Sequence, residues 1–434
     1  MLGHNMHELA KKLFPICRSI TGDGVRQTLA ILQQHIPEIK KHEVPSGALC
    51  FDWIVPDEWN IQDAYIVTPD GKRVAEFKHS NLHVLNYSEP VHKKVTLEEL
   101  NKHLYSLPEQ PDAIPYVTSY YKRRWGFCLS DRERQELKPG LYEVYINSTL
   151  KPGHLTYGEL IIPGKTTKEI FLSTYICHPS LANNELSGPV VTTFIAQWLM
   201  SLPERKFTYR IVFIPETIGS IVYLSLHHES LKKNVYAGFN ISCVGDDRAY
   251  SYLPSRKGNT ISDRIALHVL KHIAPNFMKY SFRDRGSDER QYCSPGIDLP
   301  IASVMRSKYG EYPEYHTSLD NLEFISPEGL EGGYQVLKHC LECLEFNQTL
   351  KTQCYGEPQL GKRGLYPTLG VKKPEKSLKD MMDIIAYCDG EHDLLSIADM
   401  INIPLWETRD IVKKLIENAI LLPVNYDAHV NILC

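Results

Sequence analysis

The chain has 434 residues, of which 43% are hydrophobic and 23% are charged, a composition typical of a globular protein and not of a disordered or fibrous one. This length exceeds what one hydrophobic core usually organises, so we expect two or three domains. The net charge of −4 gives no general attraction to nucleic acid or anionic lipid, and neither is the default partner.

The N-terminal sequence and the cysteines indicate a cellular compartment. The first residues, Met1-Leu-Gly-His-Asn-Met-His-Glu, lack the basic and apolar runs of a secretory signal, and no later segment has about 18 consecutive apolar residues. The 11 cysteines are scattered and odd in number, which favours reduced thiols. Cys340 and Cys343 lie in a helical pattern without a second pair, so we interpret them as core residues. We expect a cytoplasmic protein that does not bind a membrane.

The first third of the chain predicts helices followed by a small β-rich module. Two helices are predicted within residues 6–34, separated by the Thr-Gly-Asp-Gly break at 21–24. Short β-rich runs bounded by turn residues follow from about Val44. These runs are residues 48–51, 64–67 and 82–85. A capping-box pattern at 96–99 opens a short helix, and the aromatic segment 115–128 suits either a recognition surface or a buried seam between domains.

From about residue 140 to residue 346 the pattern alternates between strands and helices. The clearest elements are a strand at 170–176, a helix at 188–200, a strand at 209–214 and a helix at 262–273. Continuous apolar strands between helices indicate a sheet covered on both faces, which is the α/β class.

The last part of the chain predicts a winged helix-turn-helix domain after a linker rich in glycine and proline. Three helical patterns, at 377–388, 394–401 and 405–418, precede an apolar extended end. The third helix mixes acidic and basic side chains, which suits protein contact better than phosphate contact. We therefore do not expect nucleic acid as a partner, and retention of this domain on heparin would contradict that expectation.

Three distant segments place a metal-ligand or proton-transfer side chain where an apolar run ends or a polar turn begins. His178 follows the apolar run 171–177, Glu216 follows 211–215, and His316 lies in a Tyr-rich turn. In an open α/β sheet, the side chains beyond the carboxyl ends of the strands converge on one crevice. Imidazole ligands, a water and a carboxylate that accepts its proton are the components of a hydrolytic zinc site. For each residue taken alone, a structural role is the alternative.

Further candidates surround these three residues. Glu185 and Asn184 lie in the loop that follows His178, and Asp320 is placed to bond the second ring nitrogen of His316. In the charged segment 283–292, Asp288 or Glu289 would bind a substrate amine or add a metal ligand, and Arg290 would bind a carboxylate. The alternative for that segment is a solvated loop.

Taken together, four segments resemble the M28 type of zinc aminopeptidases. In order and spacing they are more similar still to the aminopeptidase-like polysaccharide-biosynthesis proteins, which have an inserted β-rich domain and a C-terminal winged helix. The segments are residues 176–188, 215–220, 286–292 and 315–322. The resemblance implies a phosphorylase/hydrolase-like three-layer α/β sandwich. It divides the chain into a catalytic domain (1–43 and 131–352), an inserted β-rich domain (44–130) and a winged helix-turn-helix domain (353–434).

The resemblance also assigns roles and reveals departures. His178 matches the first histidine ligand, Glu216 the general base and His316 the last histidine ligand, with a Ser-Asp pair matched at residues 287–288. The carboxylates that hold two metal ions in dinuclear members are replaced. The replacements are Ser180, Asn184, Thr217 and Ser242. Two adjacent zinc ions would therefore keep most of their charge, at a large cost in a partly buried pocket.

The sequence therefore predicts one zinc ion per chain, bound by His178, His316 and Glu185, with Asn184 or Asp288 as the alternatives to Glu185. The expected activity is hydrolysis of an amide bond in a small peptide or in an N-acyl or amino-acylated compound, with Glu216 as base and Asp320 and Asn184 supporting the ligands. A non-catalytic binding or scaffold protein on the same fold is the alternative. A regulator that acts through the C-terminal domain is less favoured, and a homo-oligomer is compatible with the sequence.

Overall fold

The structure is a computed structural model that describes residues 1–365 and 376–424. Part of the predicted linker (366–375) and the end of the predicted winged domain (425–434) lie outside these residues. The chain forms two compact units. The first comprises Met1–Asp263 and Asn276–Gln335, and the second comprises Arg264–Pro275 and the described residues from Val336 onward.

The strands are short outside the central domain and the small β-rich module. In chain order they are β1 (Lys40–Pro45), β2 (Leu49–Cys50), β3 (Trp53–Ile54), β4 (Glu58–Val67), β5 (Arg73–Val74), β6 (Val91–Thr96), β7 (Leu104–Tyr105), β8 (Phe127–Cys128), β9 (Leu141–Lys151), β10 (His154–Ile162), β11 (Glu169–Tyr175), β12 (Thr208–Ile214), β13 (Val235–Asn240), β14 (Ser251–Leu253), β15 (Met278–Lys279), β16 (Ile301–Met305), β17 (Thr349–Thr352), β18 (Asp389–Asp393) and β19 (Leu421–Pro423).

The α-helices include those predicted from the sequence and several that the sequence did not predict. They are α1 (Leu2–Leu13), α2 (Asp23–His35), α3 (Leu97–Asn101), α4 (Asp131–Gln135), α5 (Ser187–Ser201), α6 (Ile218–Asn234), α7 (Ile261–Ile273), α8 (Glu289–Tyr292), α9 (Pro327–Phe346), α10 (Lys376–Tyr387), α11 (Leu394–Ile401) and α12 (Arg409–Glu417). A single π-helical turn, Ala182–Leu186, precedes α5.

The first unit is built around an eight-stranded sheet in the order β1-β10-β12-β11-β13-β16-β14-β15. Its centre, β12-β11-β13-β16, is parallel, and the outer pairs β1/β10, β10/β12 and β14/β16 are antiparallel. Every residue of β11 and β16 is buried, as expected of parallel strands covered on both faces. The predicted α/β class is confirmed.

Helices cover both faces of this sheet. On one face Ser173 of β11 bonds the hydroxyl of Tyr292 in α8 at 2.7 Å, and the Phe171 ring packs edge-on against the same tyrosine. On the other face α5 approaches so closely that a Cβ on Gly188 would lie 2.5 Å from Thr174 Oγ1, so only glycine fits there. The three layers of helix, sheet and helix form the predicted sandwich.

The small β-rich module contains a four-stranded antiparallel sheet in the order β5-β4-β9-β6. Its fourth strand, β9, lies beyond residue 130, so these pairings argue for a later limit than the predicted range 44–130. The predicted strand at 82–85 is wrong, because Asn81–His83 form a 3₁₀ turn in which Leu82 N donates to Ser80 Oγ at 3.3 Å. The predicted helix cap is present, since Glu99 N donates to Thr96 Oγ1.

The second unit contains the three predicted C-terminal helices, α10, α11 and α12, with the three-stranded sheet β18-β17-β19. Because β17 pairs with both other strands, the winged domain starts before the predicted residue 353. Arg264 and Asp393 form a two-pronged ion pair of 2.8 and 3.1 Å at the start of α11. Across the described residues, no helix is both long and apolar enough to span a bilayer.

Candidate active site

The first two site residues follow the ends of two neighbouring parallel strands. β11 and β12 are in register, with Tyr175 beside Ile214, so the segments that follow them leave the sheet at the same edge. His178 follows β11 and Glu216 follows β12, and His178 Nε2 lies 3.7 Å from Glu216 Oε2. The backbone N–H of Glu216 donates to Cys177 Sγ at 3.2 Å. This bond links the segments that follow the two strands.

Glu216 lies at the start of a strained turn. The next residue, Thr217, has φ 64° and ψ −76°, and Ile218 N donates to Glu216 O at 2.8 Å, which defines a γ-turn of the rare positive-φ type. A β-branched residue at positive φ is a true outlier and marks functional sites. The turn is supported by Asp288 Oδ1, which accepts from Thr217 N at 2.8 Å.

Burial raises the pKa of Glu216 to about 8, and the nearby Asp288 carboxylate contributes to this rise. Ser287 Oγ donates to Glu216 Oε1 at 2.7 Å and favours the charged form. This bond leaves Oε2 as the oxygen that lies near His178. A carboxylate whose pKa is raised in this way is suited to general base catalysis near neutral pH.

The third site residue arrives from the loop after β16. His316 also has positive φ, 56°, and its ring centroid is 5.6 Å from that of His178. Residues 114–116 pair with residues 316–318: Tyr116 N donates to His316 O at 2.8 Å, and Ser318 N donates to Ile114 O at 2.8 Å. The Tyr116 ring lies 5.1 Å from the His316 ring and 5.2 Å from the His178 ring. The predicted convergence of His178, Glu216 and His316 is therefore present in the geometry.

Glu185 does not have the predicted position for a metal ligand shared with His316. It arises from the π-helical turn, and its Oε2 lies within hydrogen-bond distance of His178 Nδ1, at 2.8 Å, on the side of the imidazole opposite Glu216. Its Oε1 lies 3.3 Å from Nε of Arg18, which is fully buried and also donates to His178 O at 2.9 Å. Glu185 therefore orients His178, and the prediction of Glu185 as the third ligand is corrected.

The donor spacing leads to the same correction. Within residues 1–365 and 376–424, one group of His, Cys, Asp or Glu places three donor atoms mutually within 4.8 Å: Cys177, His178 and Glu185. This group lies on the Nδ1 side of His178, where the Arg18 guanidinium already occupies the cationic position. Burial raises the pKa of the Cys177 thiol well above its usual range, which disfavours the thiolate that metal binding requires. We interpret the group as a hydrogen-bonded cluster.

The two predicted supporting residues have different roles. Asp320 does not bond His316, because its carboxylate accepts from the backbone N–H groups of Asn183 and Asn184 at 2.6 and 2.9 Å and from Tyr312 Oη at 3.2 Å. It fixes the π-helical turn instead, and that prediction is wrong. Asn184 donates to the hydroxyl of Tyr175 at 2.7 Å, and the Tyr175 ring lies 5.2 Å from that of His178.

The predicted ammonium ligands are buried and engaged elsewhere. Both Asp288 and Glu289 are completely buried. Asp288 Oδ1 accepts from Thr217 N and Ser220 Oγ, each at 2.8 Å. Glu289 accepts from Tyr309 Oη at 2.6 Å, from the backbone N–H of Gly286 at 2.9 Å and from Asn240 at 3.1 Å. These bonds make Glu289 structural, whereas Asp288 Oδ2 is buried without a hydrogen-bond partner among the described residues. Neither residue lines the cavity.

Arg290 lines the cavity together with His178, Glu216 and His316. Its Nη2 donates to Thr217 Oγ1 at 2.6 Å, and its buried Nε has no partner among the described residues. The cavity has a volume of about 310 Å³, at the lower end of the range for small-molecule sites. Four aromatic side chains also line it, and together they are called the aromatic wall: Trp53, Tyr116, Tyr120 and Tyr121.

Sequence reasoning missed Arg18 and the tyrosines of the aromatic wall. Arg18 lies in the break between two helices, 160 positions from His178, and no local pattern marks it. Tyr116 and Tyr120, whose hydroxyls are 2.6 Å apart, lie in the aromatic segment for which a recognition role and a structural role were left open. The structure places this segment against the site.

The two imidazoles fit a zinc ion. Burial lowers the pKa of both His178 and His316 to about 3, so each ring is neutral, as a ligand must be. His316 Nε2 is buried and bonds no other residue of the described chain. His178 carries a carboxylate on its other nitrogen, the usual arrangement of a zinc-binding histidine. With Zn–N distances of about 2.0–2.1 Å, rings 5.6 Å apart are compatible with one shared ion.

The fold and the site together define an aminopeptidase-like α/β protein with an inserted β-rich module and a C-terminal winged domain. The chain belongs to the family described as "Domain of unknown function (DUF4910)", whose model matches residues 7–347. A winged helix-turn-helix model, HTH_47, matches residues 348–423, which confirms the predicted C-terminal domain.

Three known proteins are similar to this chain over most of its length. The chain is 46% identical over 401 residues to a Clostridium acetobutylicum protein named "Putative polysaccharide biosynthesis protein with aminopeptidase-like domain", and the match covers 91% of each chain. A crystal structure of a "putative peptidase" from the same species is 43% identical, with a TM-score of 0.91 over 97% of this chain and 96% of the other. BSAP, a zinc aminopeptidase from Bacillus subtilis, shares the fold at 13% identity, with a TM-score of 0.58 over 78% of this chain and 94% of its own.

Proposed function

We propose that this protein is a zinc-dependent hydrolase of an amide bond, with one metal ion per chain. The observation that carries the proposal is the pair of neutral imidazoles, His178 and His316, that face the Glu216 carboxylate in one cavity. A zinc ion held by these two histidines would polarise the scissile carbonyl and lower the pKa of a water. The fold shared with a zinc aminopeptidase supports this choice of metal.

The protein residues have separate tasks in this reaction. Glu216 accepts the proton of the attacking water through Oε2, while Ser287 holds its other oxygen, and then returns the proton to the leaving amine. Glu185 and Arg18 keep His178 in a single orientation. The tyrosines of the aromatic wall limit the access of bulk water to the cavity, which strengthens electrostatic interactions inside it.

Glu216→Gln tests the assignment of base against ligand. If Glu216 is the base, the variant binds zinc in the same stoichiometry as the parent chain and loses amide hydrolysis by about 10²–10⁴-fold. Loss of zinc in this variant would instead make Glu216 the third ligand. His316→Ala is the companion variant, and we expect it to lose the metal. Protein that binds no stoichiometric zinc when purified without chelator would end the proposal.

A non-catalytic binding protein is the second candidate, and the reassignment of Glu185 favours it. Catalytic zinc sites usually have three protein ligands, whereas His178 and His316 supply two and Glu185 faces the other side of the ring. Absence of hydrolysis by the parent chain, together with retained ligand binding, would favour this candidate.

The setting of the reaction is also a proposal. The name of the Clostridium relative links an aminopeptidase-like domain to polysaccharide biosynthesis, and we extend that setting to this chain, in the cytoplasm. For the winged domain we propose a protein partner. Its helix α12 exposes both basic and acidic side chains, with Lys413 3.9 Å from Glu417, a poor surface for phosphates. Retention of the full chain on heparin at moderate salt would contradict this.

A further inference from the structure

We propose that the site selects an N-acyl compound that bears a carboxylate, and that Arg290 binds this carboxylate. The inference rests on the proposed amide hydrolysis and names its substrate class. It differs from the expectation for an aminopeptidase, whose substrate presents a free ammonium group. Three observations carry it: the two buried acids next to the cavity do not line it, Arg290 is the permanent cation that lines it among the described residues, and four aromatic side chains line it as well.

The residues around the cavity provide no obvious site for a substrate ammonium. Asp288 and Glu289 are completely buried, and neither lines the cavity. Asp288 Oδ1 accepts a hydrogen bond from the turn at Thr217, and Glu289 accepts one from Tyr309. Glu216 is the carboxylate that lines the cavity among the described residues, and in the proposed reaction it handles the proton of water. An ammonium bound there would compete with the reaction itself.

Arg290 offers the complementary charge. Its guanidinium is anchored at one end by the bond from Nη2 to Thr217 Oγ1, and no described residue accepts from its buried Nε. A buried N–H without a partner costs free energy, and a carboxylate meets a guanidinium through charge-assisted bonds that are about twice as strong as neutral ones. Bound substrate would supply the missing acceptor.

The aromatic wall defines the other end of the substrate. Trp53 and Tyr121 are 39% and 56% exposed, and their rings meet edge-to-face with centroids 5.7 Å apart. Exposed aromatic rings at the mouth of a cavity bind flat or apolar groups. The site therefore suits a molecule with a carboxylate at Arg290, an amide near His178 and His316, and a ring against this wall.

The chemistry balances with water as the co-reactant. Water adds to the carbonyl carbon of the N-acyl group, the C–N bond breaks, and Glu216 transfers the proton of water to the departing nitrogen. The products are the carboxylic acid of the acyl group and an amine that still carries the carboxylate bound by Arg290. No oxidant or reductant is required.

Two probes that differ in one group test the inference. N-acetyl-L-tyrosine carries the carboxylate, and N-acetyl-L-tyrosinamide replaces it with a neutral amide. Binding is measured by calorimetry on the full-length Glu216→Gln chain, so that turnover does not interfere. We expect the acid to bind at least about tenfold more tightly than the amide, as one charge-assisted contact predicts. Equal affinities, tighter binding of the amide, or no binding of the acid would overturn the inference.

Arg290→Gln in the Glu216→Gln chain distinguishes two roles of Arg290: binding of the substrate carboxylate and support of the turn at Thr217. Glutamine keeps a hydrogen-bond donor for Thr217 but removes the positive charge. We expect it to weaken the acid about tenfold and the amide less than about twofold. Equal weakening of both probes would show a structural role and overturn the inference. The exposed Arg283 in the same segment gives the matched control, Arg283→Gln, which should change neither affinity.

Hydrolysis by the parent chain is measured separately, as release of the free amine from each probe. Preference for the acid in binding without hydrolysis of either probe would refute the proposed function and leave the carboxylate inference standing. If both probes are hydrolysed at equal rates and bind with equal affinities, the proposed function stands and the carboxylate inference is refuted.

Discussion

Glu185 Oε2 lies 2.8 Å from Nδ1 of His178, and this contact decides which ring nitrogen is free for a metal. A carboxylate on Nδ1 fixes the proton there and leaves Nε2 unprotonated on the cavity side. The sequence predicts a carboxylate partner for His316, namely Asp320. The structure instead places a carboxylate, that of Glu185, against His178.

Glu185→Gln is expected to weaken zinc binding by about 10–100-fold, since the removal of such a partner costs that much in metal affinity. The glutamine keeps a hydrogen-bond acceptor, so the fold should persist. Competition with a chromophoric chelator measures the affinity. Glu323→Gln, at an exposed position, is the control. Unaltered zinc affinity in Glu185→Gln would contradict the orienting role.

Strain at Thr217 is measurable by a pair of variants. Thr217→Val keeps the β-branched side chain at φ 64° and loses the bond from Arg290, whereas Thr217→Gly loses the same bond but relaxes the backbone. We expect the glycine variant to be more stable than the valine variant by about 1 kcal/mol, as measured by urea unfolding. If the valine variant is as stable as the glycine variant, the turn is not strained.

The Glu58 carboxylate should make stability depend on pH in the acid range. Burial tends to raise its pKa, but bonds from Arg26, the backbone N–H of His154 and Asn60 outweigh this and lower the pKa to about 2. The unfolded value is about 4.3, so the stabilisation is complete above that pH and disappears as the pH falls through about 2.

The comparison with Glu58→Gln isolates this effect. The variant should be less stable than the parent chain at pH 6, and the difference should shrink steadily between about pH 4.5 and pH 2. Denaturant midpoints at each pH provide the measurement. Glu38→Gln, at an exposed position, should follow the parent at every pH. A difference that stays constant with pH would rule out the proposed role of the carboxylate.

Asp393 is expected to hold the start of α11 in the second unit. Its carboxylate accepts from Ser396 N at 2.9 Å as a helix cap and pairs with Arg264 at 2.8 and 3.1 Å. Asp393→Ala should lower the local stability by about 2 kcal/mol, the upper range for loss of a cap. Hydrogen exchange of the α11 amides measures it. Glu391→Ala, at a neighbouring exposed position, should leave the exchange unchanged.

Residues at strand ends were predictable from the sequence, and residues brought in by irregular backbone were not. His178 and Glu216 follow long apolar runs, and parallel strands must end at one edge of the sheet, so their convergence follows from the pattern. Glu185 was assigned the wrong position because a π-helical turn, which adds a residue to the helical cycle, redirects its side chain. A sequence pattern of regular helices contains no sign of that turn.

Burial also divides the candidate residues of the charged segment 283–292. The sequence predicts the same polar loop environment for Asp288, Glu289 and Arg290. The fold, however, buries the two acids and leaves the arginine at the cavity. That division depends on tertiary contacts from Thr217 and Tyr309, which lie far away along the chain. By contrast, the alternation of strands and helices was sufficient to predict the α/β class, and three helical patterns before an extended end were sufficient to predict the winged domain.

The pairing of residues 114–116 with residues 316–318 has a practical implication for anyone who trims this protein. An obvious minimal version would excise the β-rich module to leave a bare sandwich with a wider entrance. That cut would also remove the backbone partner of His316, and the loop that presents this histidine would lose its anchor. The module belongs to the scaffold of the candidate site, and a shortened chain should retain it.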